Sequence, residues 1–92
     1  MKVSFYANLR DIVGQKTIEV DMDLPFSARD LVEVIVTDYP SLRTVLLDAN
    51  NEFHYYMKFF INGRDTVYLE NRMDTLIQPG DRVDIFPPVG GG

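Results

Sequence analysis

At 92 residues the chain can build one hydrophobic core, with no room for a catalytic domain beside a partner domain. A hydrophobic fraction of 46 % with 25 % charged residues excludes general disorder. The net charge of −5, from 14 acidic against 9 basic residues, sets the long-range field against phosphate backbones and anionic lipid, so no nucleic acid and no membrane is expected as partner and a basic protein surface is favoured.

KVSFYANL alternates: Val3 and Phe5 fall on one side and Lys2, Ser4 and Tyr6 on the other, the period of a half-buried strand. Beyond a turn around Gly14, KTIEVDM alternates again, Ile18 and Val20 against Thr17 and Glu19, so the two segments predict a hairpin. The period then changes. Ala28, Leu31, Val32, Ile35 and Tyr39 recur at helical spacing, with Ser27 at the N-cap, Asp30 in the first turn, and Pro40 as the stop. SLRTVLLDANNE predicts a short helical turn and a loop. FHYYMKFFINGR predicts a long strand closed by the Asn62-Gly63 turn, and TVYL a short strand. RVDIF predicts the last strand, after an irregular passage through Pro79-Gly80-Asp81. This order predicts an α+β fold of β-grasp type, a mixed sheet packed against one main helix, with a parallel pair reached across that helix. The domain is expected to span residues 1–88 and a flexible glycine tail residues 89–92.

Cysteine is absent, which removes disulfides, a thiolate nucleophile and cysteine-ligated metal, and suits a reducing compartment. The first residues lack the apolar stretch of a signal peptide, and no apolar run approaches the roughly 18 residues of a membrane span. The expected location is cytoplasmic.

The side chains offer little for catalysis. His54 has no second histidine and no cysteine to complete a metal site or a nucleophile pair, which favours a structural or solvent-exposed role. Ser4, Ser27 and Ser41 lack the context of a nucleophile elbow. Asp21 with Asp23, and Asp81 with Asp84, read as turn residues and solvated strand faces rather than acid/base pairs. The glycines of PPVGGG precede neither a lysine nor a helix, unlike a phosphate-binding loop. No bound cofactor, no metal and no catalytic residues of its own are expected, and whether the chain is part of an enzyme stays open.

The tail is the remaining chemical group. Gly90, Gly91 and Gly92 have no side chains to pack and lose the most backbone entropy on ordering. A terminal glycine carboxylate, with no Cβ beside it, can enter a narrow slot extended and meet a reagent there. Adenylation by ATP would make it an acyl donor, and a second protein must supply that ATP. Pro87 and Pro88 favour an extended exit that holds the tail off the body. The competing reading is a frayed terminus. If Val83 and Ile85 face the core, Arg82, Asp84 and Phe86 face outward, and the same alternation turns Tyr6, Tyr56 and Phe60 outward. These aromatic residues predict a partner-binding patch beside the tail root, continued by Pro87, Pro88, Val89 and Gly90.

FINGRDTVYLE, the spaced ending DTLIQPGDRVDIFPPVGGG and the short hairpin start together resemble the ubiquitin-like sulfur carrier family, most closely the small subunit of molybdopterin synthase in its archaeal-like form. The likeness spans essentially the whole chain, and its specific part is the terminal GDxVxIFPPVxGG pattern. The resemblance implies that Gly92, next to Gly91, is adenylated by an activating enzyme similar to those that charge ubiquitin, then converted to a thiocarboxylate that donates sulfur in molybdopterin biosynthesis. It implies two further partners, a sulfur donor and the large subunit of molybdopterin synthase that receives the tail, and a partner-contact role for Phe86. Gly90 stands where the family often has alanine. Similar tails serve thiamine and tRNA thiolation, and some archaeal relatives are joined through the terminal glycine to lysines of target proteins. LENRMDT resembles the archaeal form, being longer than in compact bacterial small subunits. The leading expectation is a sulfur carrier of the molybdopterin-synthase type; the alternatives are a ubiquitin-like modifier conjugated through Gly92 and a β-grasp interaction module with an idle tail.

Overall fold

A computed structural model of the protein describes residues 1–23 and 25–88. In chain order its elements begin with strand β1 (Lys2–Phe5), helix α1 (Asn8–Val13), strands β2 (Thr17–Glu19) and β3 (Phe26–Ser27), and helix α2 (Ala28–Asp38). A 3-10 turn at Pro40–Leu42 leads into helix α3 (Arg43–Leu46), then strands β4 (Lys58–Ile61) and β5 (Arg64–Asp65). Two further 3-10 turns, Thr66–Tyr68 and Arg72–Asp74, precede β6 (Leu76–Ile77) and β7 (Val83–Phe86).

Among the described residues five strands form one mixed sheet in the order β2-β1-β7-β4-β5, and β3 pairs with β6 apart from it. β1 runs antiparallel to β2, with Val3 opposite Ile18, and parallel to β7, with Phe5 opposite Ile85. β7 runs antiparallel to β4, with Phe59 opposite Ile85. This register brings Val3, Phe5, Ile18, Phe59, Ile61, Val83 and Ile85 to one face, where they join Leu31, Val32, Ile35 and Val36 of α2 in a single core. The arrangement is the β-grasp fold.

The sequence accounts for α2 in detail. Ser27 Oγ accepts the Asp30 N–H at 3.1 Å while the Asp30 carboxylate accepts the Ser27 N–H at 3.2 Å, a capping box worth about 1 kcal/mol. Val36 widens the buried stripe and Tyr39 is only half-buried at its end, because the helix stops at Asp38 ahead of Pro40.

Elsewhere the structure departs from the expected elements. β1 ends at Phe5 because Ala7 adopts φ 55 and ψ −133, after which α1 turns Leu9 into the core. The hairpin pairing holds, yet its connection contains a helix that Gly14 closes in the left-handed conformation, its N–H donating to the Arg10 carbonyl at 2.8 Å. The long strand expected from Phe53 starts only at Lys58, since Met57 N–H bonds back to the His54 carbonyl in a turn. TVYL is a 3-10 turn rather than a strand, because the Asp65 side chain caps it by accepting the Val67 N–H at 3.0 Å. Among the described residues no helix is long and apolar enough to cross a membrane.

Candidate functional site

The residues that alternate with the core strand positions lie on the other face of the sheet. Ser4, Tyr6, Lys16, Thr17, Phe60, Arg82, Asp84 and Phe86 line a shallow depression there of about 540 Å³. Its middle strand is β7, which is hydrogen-bonded on both sides and leads directly to Pro87, half-buried, and Pro88, exposed. The expected tail residues Val89, Gly90, Gly91 and Gly92 lie outside the described residues.

Phe86 is the centre of an aromatic cluster. The Tyr6 ring stacks on it at 4.1 Å between centroids and 12° between planes, and Phe60 tilts against it at 5.3 Å. Below the stack, Asp84 is only 7 % exposed. Tyr6 Oη donates to Asp84 Oδ1 at 2.8 Å and Arg82 Nε donates to Oδ2 at 3.1 Å, so both oxygens of the carboxylate are satisfied. That hydrogen bond raises the Tyr6 phenol above its ordinary value, with burial and the Asp84 charge acting in the same direction. Lys16 Nζ lies 5.8 Å from the centre of the Tyr6 ring, within cation–π range.

The turn before β7 is fixed as firmly. Asn62 (φ 53) and Gly63 (φ 81) make the tight turn that their pairing predicts. The Asn62 side chain accepts the Arg82 N–H at 2.8 Å and donates to Asp81 Oδ1 at 2.9 Å, while Asp81 Oδ2 accepts the Gln78 N–H at 2.8 Å. Asp81 is thus a turn residue, as expected. Asp84 is not solvated: it is buried, with its carboxylate held by Tyr6 and Arg82.

Of the expected patch, Tyr6, Phe60 and Phe86 come together and Tyr56 does not. Tyr56 precedes β4, so strand alternation does not govern it; its ring stacks on His54 at 4.6 Å and meets Tyr55 edge-on at 5.4 Å. His54 is half-buried there, with Nε2 3.3 Å from the Thr44 carbonyl oxygen. The Tyr6–Asp84–Arg82 bonding is what sequence reasoning missed. Its signal was a lone acid between Val83 and Ile85, a polar group in a strand apolar enough to be central.

The sequence profile of the ThiS family matches residues 3–92. Small archaeal modifier protein 3 of Haloferax volcanii is 33 % identical over 92 residues, covering 100 % of this chain and 98 % of that protein. The molybdopterin synthase sulfur carrier subunit of Drosophila erecta is 30 % identical over 93 residues, covering 98 % of this chain and 88 % of that protein. The solution structure of small archaeal modifier protein 1 from Methanosarcina acetivorans superposes with a TM-score of 0.85 at 28 % identity, over 99 % of this chain and 94 % of that one. With the β-grasp sheet and whole-chain similarity to both kinds of protein, the chain belongs to the ThiS family of ubiquitin-like small archaeal modifiers and sulfur carriers.

Proposed function

We propose that the protein is a sulfur carrier that works through the Gly92 carboxylate, as the small subunit of a molybdopterin synthase. The observation that carries this reading is the Phe86 cluster, ordered on the central strand that leads into the glycine tail, in a chain whose family match runs through Gly92. The Gly92 carboxylate attacks the α-phosphorus of ATP bound to a separate activating enzyme, forming an acyl-adenylate as pyrophosphate leaves. A sulfide-level nucleophile from a sulfur donor then attacks the acyl carbon and displaces AMP, leaving sulfur in place of one oxygen. This chain contributes an unhindered end at Gly91 and Gly92, an extended exit at Pro87 and Pro88 with Val89 and Gly90 behind the reacting end, and Phe86 with Phe60 as the docking surface. The large subunit of molybdopterin synthase would receive the charged tail.

The 33 % identity to a small archaeal modifier protein favours a second reading, a protein modifier. In that reading a lysine amine of a target attacks the same acyl-adenylate, AMP leaves, and an isopeptide bond to Gly92 forms.

Intact mass of the chain after incubation with the host's activating enzyme, ATP and a sulfur source tests both, with a chain lacking Gly92 as control. Replacement of one oxygen by sulfur in the intact chain alone supports the carrier. Lysine conjugates without thiocarboxylate support the modifier. An unchanged mass with a demonstrably active enzyme overturns both.

A further inference from the structure

The chain is acidic overall, yet four of its nine basic residues, including every lysine, lie on the face that bears Phe86. All three lysines, Lys2, Lys16 and Lys58, lie there with Arg82. Lys2 alternates with the buried Val3 and sits opposite Glu19, at the end of the sheet away from the tail. The other two lysines flank the aromatic cluster. Lys58 stands opposite Phe86 across the β4–β7 pair, and Lys16 reaches over the Tyr6 ring that stacks on Phe86.

The carboxylates beside the cluster are already engaged. Asp84 is held by Tyr6 and Arg82, and Asp65 by Lys58 at 3.6 Å and the Val67 N–H at 3.0 Å, leaving their side chains only 10 % and 13 % exposed. Lys16 is exposed and, among the described residues, has no carboxylate within 4.0 Å. At one edge of the apolar centre Lys16 thus stands without a carboxylate partner, and at the other Lys58, paired with Asp65, keeps its side chain 47 % exposed, although the molecule's net charge is −5.

Resting on the reading that an activating enzyme takes up this chain, we propose that the tail-root face docks on a protein surface with an apolar recess for Phe86 and Phe60 and carboxylates at its rim opposite Lys16 and Lys58. The polarity is the reverse of what the net charge favours. An acidic rim attracts these lysines and is repelled by the rest of the chain, so it orients the molecule with its tail toward the partner as well as holding it.

The test is titration of the host's activating enzyme with the full chain, without ATP, at low and high salt, alongside ATP–pyrophosphate exchange. Lys16→Glu and Lys58→Glu are each expected to weaken binding about tenfold at low salt, and salt to weaken the unsubstituted chain. Arg43→Glu, the same charge change on α3 beside α2 on the covered side of the sheet, should leave binding unchanged. Lys16 has no ion pair to lose, and Lys58→Gln removes the charge of the other lysine without reversing it, so a folding defect in Lys58→Glu does not decide the outcome. If the chain is adenylated while both reversals bind as tightly as the unsubstituted chain, the acidic-rim proposal is overturned and the carrier reading stands. Charge-dependent binding without pyrophosphate exchange keeps the proposal and overturns adenylation by that enzyme. No binding at all overturns both.

Discussion

The two faces of the central sheet are built from the same strands by opposite means. On the covered face, Val3, Phe5, Phe59, Val83 and Ile85 are fully buried against α2, and volume and dryness define their positions. On the open face the neighbouring residues are held by particular pairs: Tyr6 on Phe86, Tyr6 and Arg82 on Asp84, Lys58 on Asp65. One face makes the fold, and the other arrives at a partner already arranged. Ordered aromatic rings lose less side-chain freedom on docking than free ones, which leaves more of the contact energy for affinity.

Substitutions that treat the faces differently should separate the two roles. Phe59→Ala on the covered face is expected to lose about 3–5 kcal/mol, read as a drop in the urea midpoint, with binding lost only as the chain unfolds. Phe86→Ala on the open face should lose about half as much stability, because the ring is only half-buried and Tyr6 and Phe60 can close over the gap. In pyrophosphate exchange it should raise KM for the chain with little change in kcat, the mark of lost docking. A stability loss equal to that of Phe59→Ala would abolish the distinction between the faces.

Tyr6→Phe should have the smallest effect, about 1.5 kcal/mol, the low end for a hydrogen bond to a charged group, because the stack and the Arg82 bond to Asp84 are retained. It also carries a pH signature. Asp84 raises the folded-state phenol above its ordinary value of 10.0, so the stabilisation is complete below that pH and disappears as pH rises through the folded-state value. The phenolate can no longer donate and is repelled by the carboxylate. Urea midpoints at neutral and strongly alkaline pH should therefore converge in Tyr6→Phe relative to the unsubstituted chain.

Where local chemistry decides conformation, the sequence was legible. Ser27 with Asp30 specifies the start of α2, Asn62-Gly63 specifies its turn, and RVDIF alternates as a true strand, so alternation alone puts Phe86 on the open face. Phe60 was placed by the same rule because it lies inside β4. Tyr56, four residues earlier, failed because the strand had not yet begun, and alternation says nothing of a residue in a turn. Ala7 and Asp65 set the other limits. A non-glycine residue at positive φ has no composition signal, and the capping of Thr66–Tyr68 competes locally with a strand that Thr, Val and Tyr otherwise favour. Asp84 looks solvated in the sequence because its cover comes from Tyr6, 78 residues away.

The parallel partnership of β1 with β7 also governs when the molecule can come into being during synthesis. The first strand made cannot complete its pairing until the last has been translated, because β7 is what separates β1 from β4 in the sheet. Such long-range closure makes for slow, cooperative folding. A nascent chain truncated before Val83 would lack the middle of its sheet as well as its tail, so premature termination should yield a protease-sensitive fragment rather than a folded protein without its reactive end.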